Sequence, residues 1–157
     1  MQNQFRRLVI VALALLLTSG WTLGIAKEKE PPKNPLLGSW ELVRFKYGDG
    51  EFTDFPKARR RLKLITDTHW SWVEYSTDGA KEVKAGAGGP YTLKGEIYTE
   101  TIEFATGDMV RFLDATHPFK FRVEGDKCFV SGTLANRLKI EDIWQRVKAP
   151  LLPKDVP

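Results

Sequence analysis

Apolar and polar residues alternate with a period of two along most of the chain between residues 36 and 148. This period is typical of β-strands with one buried face, whereas an amphipathic helix repeats every 3.6 residues. Residues 53–60 interrupt the alternation and predict a loop or a short helix, and residues 107–118 predict one helical turn. The alternation predicts eight strands, at residues 38–47, 61–66, 69–77, 82–93, 96–105, 119–124, 127–134 and 138–147.

Short turns rich in glycine and aspartate separate the predicted strands. Asp78-Gly79 and Gly125-Asp126 are examples, since such pairs supply the positive φ that tight hairpins need. Consecutive strands joined in this way form a meander, which loses its exposed edges when it closes. We therefore predict an all-β fold, a single antiparallel up-and-down β-barrel of about eight strands, with a β-sandwich as the alternative. An eight-stranded barrel is wide enough to hold one small ligand.

The N-terminal residues have the pattern of a secretion signal. Arg6 and Arg7 precede the apolar residues 8–17, and Gly24 and Ala26 are small residues at the positions that a signal peptidase reads. We expect export to the periplasm or secretion, without lipid attachment because no cysteine comes directly after the apolar segment; an uncleaved membrane anchor is the alternative. The predicted organisation is a signal peptide at 1–26, a flexible Pro-rich tether at 27–35, the barrel at 36–148 and a Pro-rich tail at 149–157.

Charge and cysteine content narrow the possible partners. Residues 1–26 contain two arginines and no acidic residue, so their removal lowers the formal net charge from +4 to +2. This charge gives no support for nucleic-acid binding, and we expect a monomer without a cofactor. Cys128 is the only cysteine in the sequence, which excludes an intrachain disulfide and favours a buried thiol. The basic residues 57–63 predict either a solvated start of a strand or a weak contact with anionic lipid.

The alternation also predicts which side chains face the barrel interior. Glu100 shares a face with Tyr98, Ile102 and Phe104, and a buried carboxylate is costly unless it is paired. We expect the Glu100 carboxylate to be paired with one of three partners: a residue next to Tyr98, the His69 side chain, or an arginine on an adjacent strand. The candidate ligand-binding residues are the aromatic and polar side chains of Trp70, Trp72, Tyr75, Tyr91, Tyr98, Glu100, Phe104, Phe121, Arg122 and Glu141.

A Gly-x-Trp motif, Gly38 to Trp40, begins the first predicted strand, and Trp144 and Arg146 end the last one. With these motifs, residues 36–148 resemble bacterial exported lipocalin-like domains of unassigned function, which are calycin-type barrels. The resemblance implies that Trp40 packs at the closed end of the barrel under Arg146, in a cation–π contact, with Gly38 and Trp144 as further barrel-closing residues. The motifs that carry the resemblance lie at residues 37–43, 61–66, 69–72, 98–104 and 138–147.

The same resemblance leaves a second role open for the last strand. Fatty-acid-binding proteins hold a carboxylate inside the barrel with an Arg-x-Tyr on their final strand. In this chain the aromatic residue comes first, and the spacing of two places Trp144 and Arg146 on one face of the strand. An Arg146 that pointed into the cavity would favour an anionic, lipid-like ligand.

We therefore predict an exported protein that binds a small, mainly hydrophobic or amphipathic molecule in a barrel cavity, without catalysis. One alternative is a barrel isomerase or hydrolase that uses Glu100 or Glu141 with His69, and another is an envelope scaffold without a ligand. His69 and His117 lie 48 residues apart and show no metal-ligand spacing, so no metal is predicted. The glycines at residues 86–90 predict a hairpin tip or a bulge, because the Lys-Ser/Thr of a phosphate loop is missing.

Overall fold

The computed structural model describes residues 34–148. The predicted signal peptide, the tail at 149–157 and all but the last two residues of the predicted tether lie outside the described residues. Among residues 34–148, no helix has the length and apolar composition needed to cross a membrane. The described elements are the 3-10 helix Gly107–Phe112 and the strands β1 Gly38–Tyr47, β2 Thr53–Asp54, β3 Arg59–Ile65, β4 His69–Ser76, β5 Val83–Lys94, β6 Ile97–Thr101, β7 Phe104–Thr106, β8 Thr116–Glu124, β9 Lys127–Thr133 and β10 Lys139–Arg146.

Eight strands of this described segment form the wall of a closed barrel. They follow the order β1-β3-β4-β5-β6-β8-β9-β10, each antiparallel to its neighbours, and β10 pairs with β1 to close the wall. The short strand β2 pairs with β1, and β7 pairs with β5. The predicted all-β, up-and-down barrel is confirmed. The sandwich alternative is wrong, because the closing pair makes one continuous wall instead of two separate sheets.

The run predicted as one strand at residues 96–105 is divided into β6 and β7. β6 pairs with the second half of β5, and β7 pairs with its first half around Gly88. Two residues without strand structure separate β6 from β7, so the alternation loses its register there. Phe104 is consequently 54% exposed instead of facing inward with Glu100, and its ring packs where a Cβ on Gly88 would lie. The glycines at 86–90 lie inside β5 and not at a hairpin tip. Because Gly88 has no side chain, the Phe104 ring can approach the strand closely.

The two irregular segments of the sequence contain more strand than predicted. Residues 53–60 hold β2 and the start of β3. Residues 107–118 hold the 3-10 helix, which corresponds to the predicted helical turn, but β8 already begins at Thr116. His117, which falls within the segment predicted as one helical turn, is therefore a strand residue with a buried side chain.

Trp40 and Arg146 close one end of the barrel. The Trp40 side chain is buried, and its Nε1 donates a hydrogen bond of 2.7 Å to the Leu36 carbonyl. The Arg146 guanidinium lies 4.0 Å from the Trp40 ring centroid, so the expected cation–π contact is present. It also donates hydrogen bonds to the carbonyls of Leu37, at 2.7 Å, and Pro35, at 2.9 Å. Arg146 thus binds backbone at the closed end and does not point into the cavity.

Gly38 makes room for this arrangement. Its φ of +116° is a backbone conformation that residues with side chains rarely adopt. A Cβ at this position would lie 3.1 Å from Arg146 Nη1. Glycine therefore allows β1 to start directly beside the guanidinium.

Cys128 lies on β9 with its side chain in the core. Burial raises the pKa of its thiol to about 11, so the thiol stays protonated at neutral pH. A buried, protonated thiol behaves as a small apolar side chain, as predicted.

Candidate ligand-binding cavity

The barrel encloses a cavity of about 410 Å³, which lies within the usual size range of small-molecule sites. Exposed residues of β3, β5 and the 3-10 helix border it, and they mark its mouth: Arg59, Lys84 and Arg111 are among them. The cavity has one apolar part and one strongly polar part. The apolar lining comes from Ile102, Met109, Phe112, Phe119, Val130, Leu134, Leu138 and Ile140.

The polar part begins with alternate residues of β3. Arg59, Arg61 and Lys63 all line the cavity, because successive odd positions of a strand point to the same face. Arg60 points the other way and forms a paired contact with Glu41 on the outer face, with both N–O distances at 2.8 Å. The basic run at 57–63, predicted as one surface feature, is therefore divided between the outside and the inside of the barrel.

Lys63 and Glu100 form an ion pair across the barrel interior. The distance from Lys63 Nζ to Glu100 Oε1 is 2.7 Å, and the two side chains are 9% and 6% exposed. β3 and β6 are not neighbours, since β4 and β5 lie between them, so this pair joins two distant parts of the wall. Aromatic rings surround the ammonium, with ring centroids at 4.9 Å for Trp144, 5.4 Å for Trp70 and 5.7 Å for Tyr98.

A second buried carboxylate, that of Glu74, is shared by two arginines. Arg59 Nη1 donates to its Oε1 at 2.7 Å, and Arg61 Nε donates to its Oε2 at 2.9 Å. Arg61 lies directly opposite Glu74 in the β3–β4 ladder, so the pairing of the strands brings the two together. The guanidinium of Arg61 also stacks 4.7 Å from the Trp72 ring centroid. This carboxylate is fully neutralised by its neighbours.

Asp142 differs from the other two carboxylates. Its side chain is buried and lines the cavity, yet Oδ1 makes no hydrogen bond with any residue of the described range 34–148. Burial raises the pKa of Asp142 to about 6, and the nearby cations Lys63 and Arg61 limit the rise. At neutral pH Asp142 is therefore mostly ionised. The Trp144 indole beside it also lowers its pKa, but no donor within residues 34–148 reaches Oδ1 with hydrogen-bond geometry.

Four further buried polar atoms share this property within residues 34–148. They are the indole Nε1 atoms of Trp70 and Trp144, His117 Nε2 and the Tyr98 hydroxyl. His117 lies directly opposite Glu100 in the β6–β8 ladder, and burial lowers the pKa of its imidazole, which keeps it neutral. A buried polar atom without a partner costs free energy, and most native structures leave few of them. Trp70, His117, Asp142 and Trp144 all line the same cavity, which indicates positions that recognise the polar groups of a bound molecule.

Of the predicted ligand-binding residues, Trp70, Trp72 and Glu100 line the cavity. Tyr98 is buried beside Lys63 without lining it. Trp144, predicted as a barrel-closing residue, lines the cavity instead, because it faces inward two residues before Arg146. The residues that the structure places away from the cavity are Tyr75, Tyr91, Phe104, Phe121, Arg122 and Glu141.

Each displaced residue has a physical reason for its position. Tyr75 lies on the outer face of β4, next to the inward-facing Glu74. Phe121 packs against the core, and the Tyr91 hydroxyl donates to the Thr66 carbonyl at 2.7 Å. Arg122 lies outside, 4.4 Å from the Phe129 ring centroid, and contacts Glu124. Glu141 binds Lys46 at 2.8 Å on the outer face of β10.

The predicted catalytic pair is not assembled. His69 is exposed, its Nδ1 lies 2.8 Å from Thr68 Oγ1, and it does not line the cavity. The histidine beside Glu100 is His117 instead. Among the described residues, no group of three His, Cys, Asp or Glu side chains lies close enough to hold a metal ion.

The sequence analysis missed most of the charged lining. A signal was present, since charged residues occupy the alternate positions 59, 61 and 63 and Asp142 shares a face with Ile140 and Trp144. If the residues between these charged positions face outward, the charged residues on the other face of the strand must point into the barrel. The missed lining residues are Arg59, Arg61, Lys63, Glu74, His117 and Asp142.

Known proteins offer few similarities to this chain. No model of a protein family matches it, and no curated protein matches it either. Among solved structures, a redesigned β-barrel is similar, with a TM-score of 0.47 and 14% sequence identity over 72% of this chain and 92% of that chain. A point mutant of the fluorescent protein UnaG is also similar, with a TM-score of 0.39 and 9% identity over 73% of this chain and 97% of that chain. At this level of similarity neither structure indicates a ligand for the present chain.

Proposed function

We propose that this protein binds a small amphipathic molecule in its barrel cavity, without chemical turnover. The observation that carries the proposal is the 410 Å³ cavity with one apolar part and a set of buried polar atoms that lack partners within residues 34–148. A mainly hydrophobic ligand, as the sequence predicted, would bury Asp142 and the two indole N–H groups without hydrogen bonds. An amphipathic ligand satisfies them and fills the apolar part as well.

The geometry favours binding over catalysis. A general base must reach the proton that it removes, and Glu100, the carboxylate predicted for this role, is held by Lys63 at 2.7 Å. Neither Glu141, the alternative carboxylate, nor His69, the predicted partner of either one, lines the cavity. A scaffold protein without a ligand would have no reason to keep unpartnered polar atoms in a cavity of this size.

We also propose export and membership of a bacterial lipocalin-like group. The support is the residue pattern of positions 1–26 together with the Gly-x-Trp motif and its contact with Arg146. Intact-mass measurement of the protein recovered from the periplasm or medium tests the export: cleavage after Ala26 is the expected result. A full-length chain in the membrane fraction would contradict cleavage and favour the uncleaved anchor.

Ligand binding can be tested with two variants of neighbouring residues on β9. Val130 lines the cavity, and Ser131 points to the outer surface of the barrel. Because Trp70, Trp72 and Trp144 line the cavity, ligand entry changes the tryptophan emission. Val130→Phe fills part of the cavity and is expected to weaken binding of amphipathic probes by about tenfold or more, whereas Ser131→Phe leaves it unchanged.

The measurement is native mass spectrometry of the protein with copurified or added amphipathic molecules, followed by fluorescence titration of the wild type and both variants. Saturable binding that Val130→Phe weakens supports the proposal. Binding that Ser131→Phe weakens as much would place the ligand on the outer surface. The absence of any saturable binding to folded wild-type protein would overturn the proposed function.

A further inference from the structure

The polar part of the cavity is balanced in charge. Six ionic side chains form it, three cations and three carboxylates, and burial keeps His117 neutral beside them. Glu74 is neutralised by Arg59 and Arg61, and Glu100 by Lys63. The six side chains are Arg59, Arg61, Lys63, Glu74, Glu100 and Asp142.

Asp142 contributes the third negative charge to this balance, although no cation within residues 34–148 donates a hydrogen bond to its Oδ1. The two cations nearest to it, Lys63 and Arg61, are already hydrogen-bonded to other carboxylates. Its Oδ1 makes no hydrogen bond within residues 34–148, so it is an acceptor that a ligand group entering beside the Trp144 indole would satisfy. A charged ligand would upset the balance of positive and negative charges on the inner wall, and an uncharged ligand would not.

The rim of the cavity does not alter this count. Asp108 and Arg111, one residue of each sign, are exposed on the 3-10 helix. Lys84 is also exposed and pairs with Glu82, at 2.6 Å. Arg59 is exposed as well, but it belongs to the count because its Nη1 binds the buried Glu74 carboxylate at 2.7 Å. The charges of Asp108 and Arg111 cancel, those of Lys84 and Glu82 cancel as a pair, and water screens all four.

A ligand with a net charge would disturb the inner wall. An added carboxylate or ammonium would leave one charge in excess among buried groups, and an unpaired buried charge is costly. An uncharged polar group avoids this cost. It meets an unpartnered acceptor at Asp142 Oδ1 and two unpartnered donors at Trp70 Nε1 and Trp144 Nε1. A group that both donates and accepts satisfies both kinds of atom.

We propose that the cavity selects ligands whose buried end is an uncharged group with a donor and an acceptor, such as an alcohol, a phenol or a primary amide, and that it rejects carboxylates and ammonium groups. The inference rests on the proposed ligand-binding function and adds the chemical class of the ligand. It differs from the anion-binding role that Arg146 would have served inside the cavity.

Three probes with the same apolar chain test the selection: 1-octanol, octanoate and octylammonium. Their affinities for the wild type are measured by fluorescence titration and calorimetry at about pH 7.5, where Asp142 and both ionic probes carry their charges. We expect 1-octanol to bind about tenfold more tightly than either ionic probe, since a tenfold ratio corresponds to 1.4 kcal/mol.

Asp142→Asn provides the decisive variant. It removes one negative charge but keeps a carbonyl oxygen as an acceptor, so the inner wall gains a net positive charge. Octanoate is then expected to gain about tenfold in affinity, while 1-octanol changes by less than about threefold and octylammonium loses affinity. Glu141→Gln is the matched control, because the neighbouring Glu141 side chain lies outside the cavity.

The outcomes separate the inference from the function beneath it. Equal affinities for the three probes, tighter binding of octanoate by the wild type, or the same octanoate gain in Glu141→Gln would overturn the selection while ligand binding still stands. If none of the three probes binds to wild-type protein that circular dichroism shows to be folded, the proposed function itself fails.

Discussion

The closed end of the barrel and the inner wall of its cavity both place a cation against tryptophan, but they differ in completeness. At the closed end, Arg146 lies 4.0 Å from the Trp40 ring centroid, and both groups donate to backbone carbonyls. At the inner wall, Lys63 lies 4.9 Å from the Trp144 ring centroid and binds Glu100. Trp144 Nε1, unlike Trp40 Nε1, makes no hydrogen bond within residues 34–148.

The closed end therefore has the features of a structural element, whereas the inner wall has those of a recognition site. At the closed end, Trp40 Nε1 and both terminal nitrogens of Arg146 bind backbone carbonyls, and neither residue has a buried polar atom without a partner within residues 34–148. The inner wall keeps a buried acceptor at Asp142 and buried donors at two indoles, which costs stability in the free protein. A protein tolerates such a cost where a bound molecule compensates for it.

The largest expected effect concerns the closed end. Trp40→Ala should lower the free energy of unfolding by about 4 kcal/mol, because it leaves a void under Arg146 and removes a buried hydrogen bond. Urea unfolding measures the change. Trp72→Ala is the control, since Trp72 is only half-buried and borders the cavity, and a smaller loss is expected. Equal losses would show that the closed end has no special structural role.

A somewhat smaller effect is expected when the ion pair across the interior is broken. Lys63→Met leaves Glu100 without a cation and should cost about 3 kcal/mol, as breaking a buried pair usually does. The double variant Lys63→Met with Glu100→Leu restores the balance of charge and should recover at least half of that loss. Urea unfolding of the two single variants and the double variant provides the cycle. A double variant less stable than both single variants would contradict a purely electrostatic role.

Asp142→Asn should give the smallest change and the opposite sign. Burial raises the pKa of Asp142 from 3.8 to about 6, so the folded state keeps a proton that the unfolded chain releases. The stability that this residue contributes is complete below about pH 4 and is lost as the pH rises through about 6. Asparagine cannot ionise, so the variant should be more stable than the wild type by about 2 kcal/mol at pH 7.5 and equally stable near pH 4.

Urea unfolding at both pH values checks this prediction, with Glu141→Gln as the control. The lowered pKa of His117 acts in the other direction, because the unfolded chain takes up a proton below about pH 6.5 that the folded state refuses. His117 is present in all three proteins, so its contribution cancels in the differences. A stabilisation by Asp142→Asn that is equal at both pH values would show that ionisation is not its cause.

Much of the fold could be predicted from local pattern. The period of two located all eight wall strands, and the resemblance carried by Gly38, Trp40 and Arg146 led to the correct closed end. The division between β6 and β7 could not be predicted, because a two-residue break shifts the register without changing the composition. For this reason Phe104 is exposed and does not line the cavity, although it was predicted as a ligand-binding residue.

Local alternation is sufficient to place a residue on one face of a strand, because side chains of a strand point to opposite faces in turn. It does not determine the height of that residue in the barrel or the residue that it meets across the interior. Those relations follow from the stagger of eight strands in the closed wall, which brings Lys63 to Glu100 although 37 residues separate them. Short segments of the chain therefore determine the barrel and its closed end, whereas the charge balance around Asp142 arises only when the wall closes.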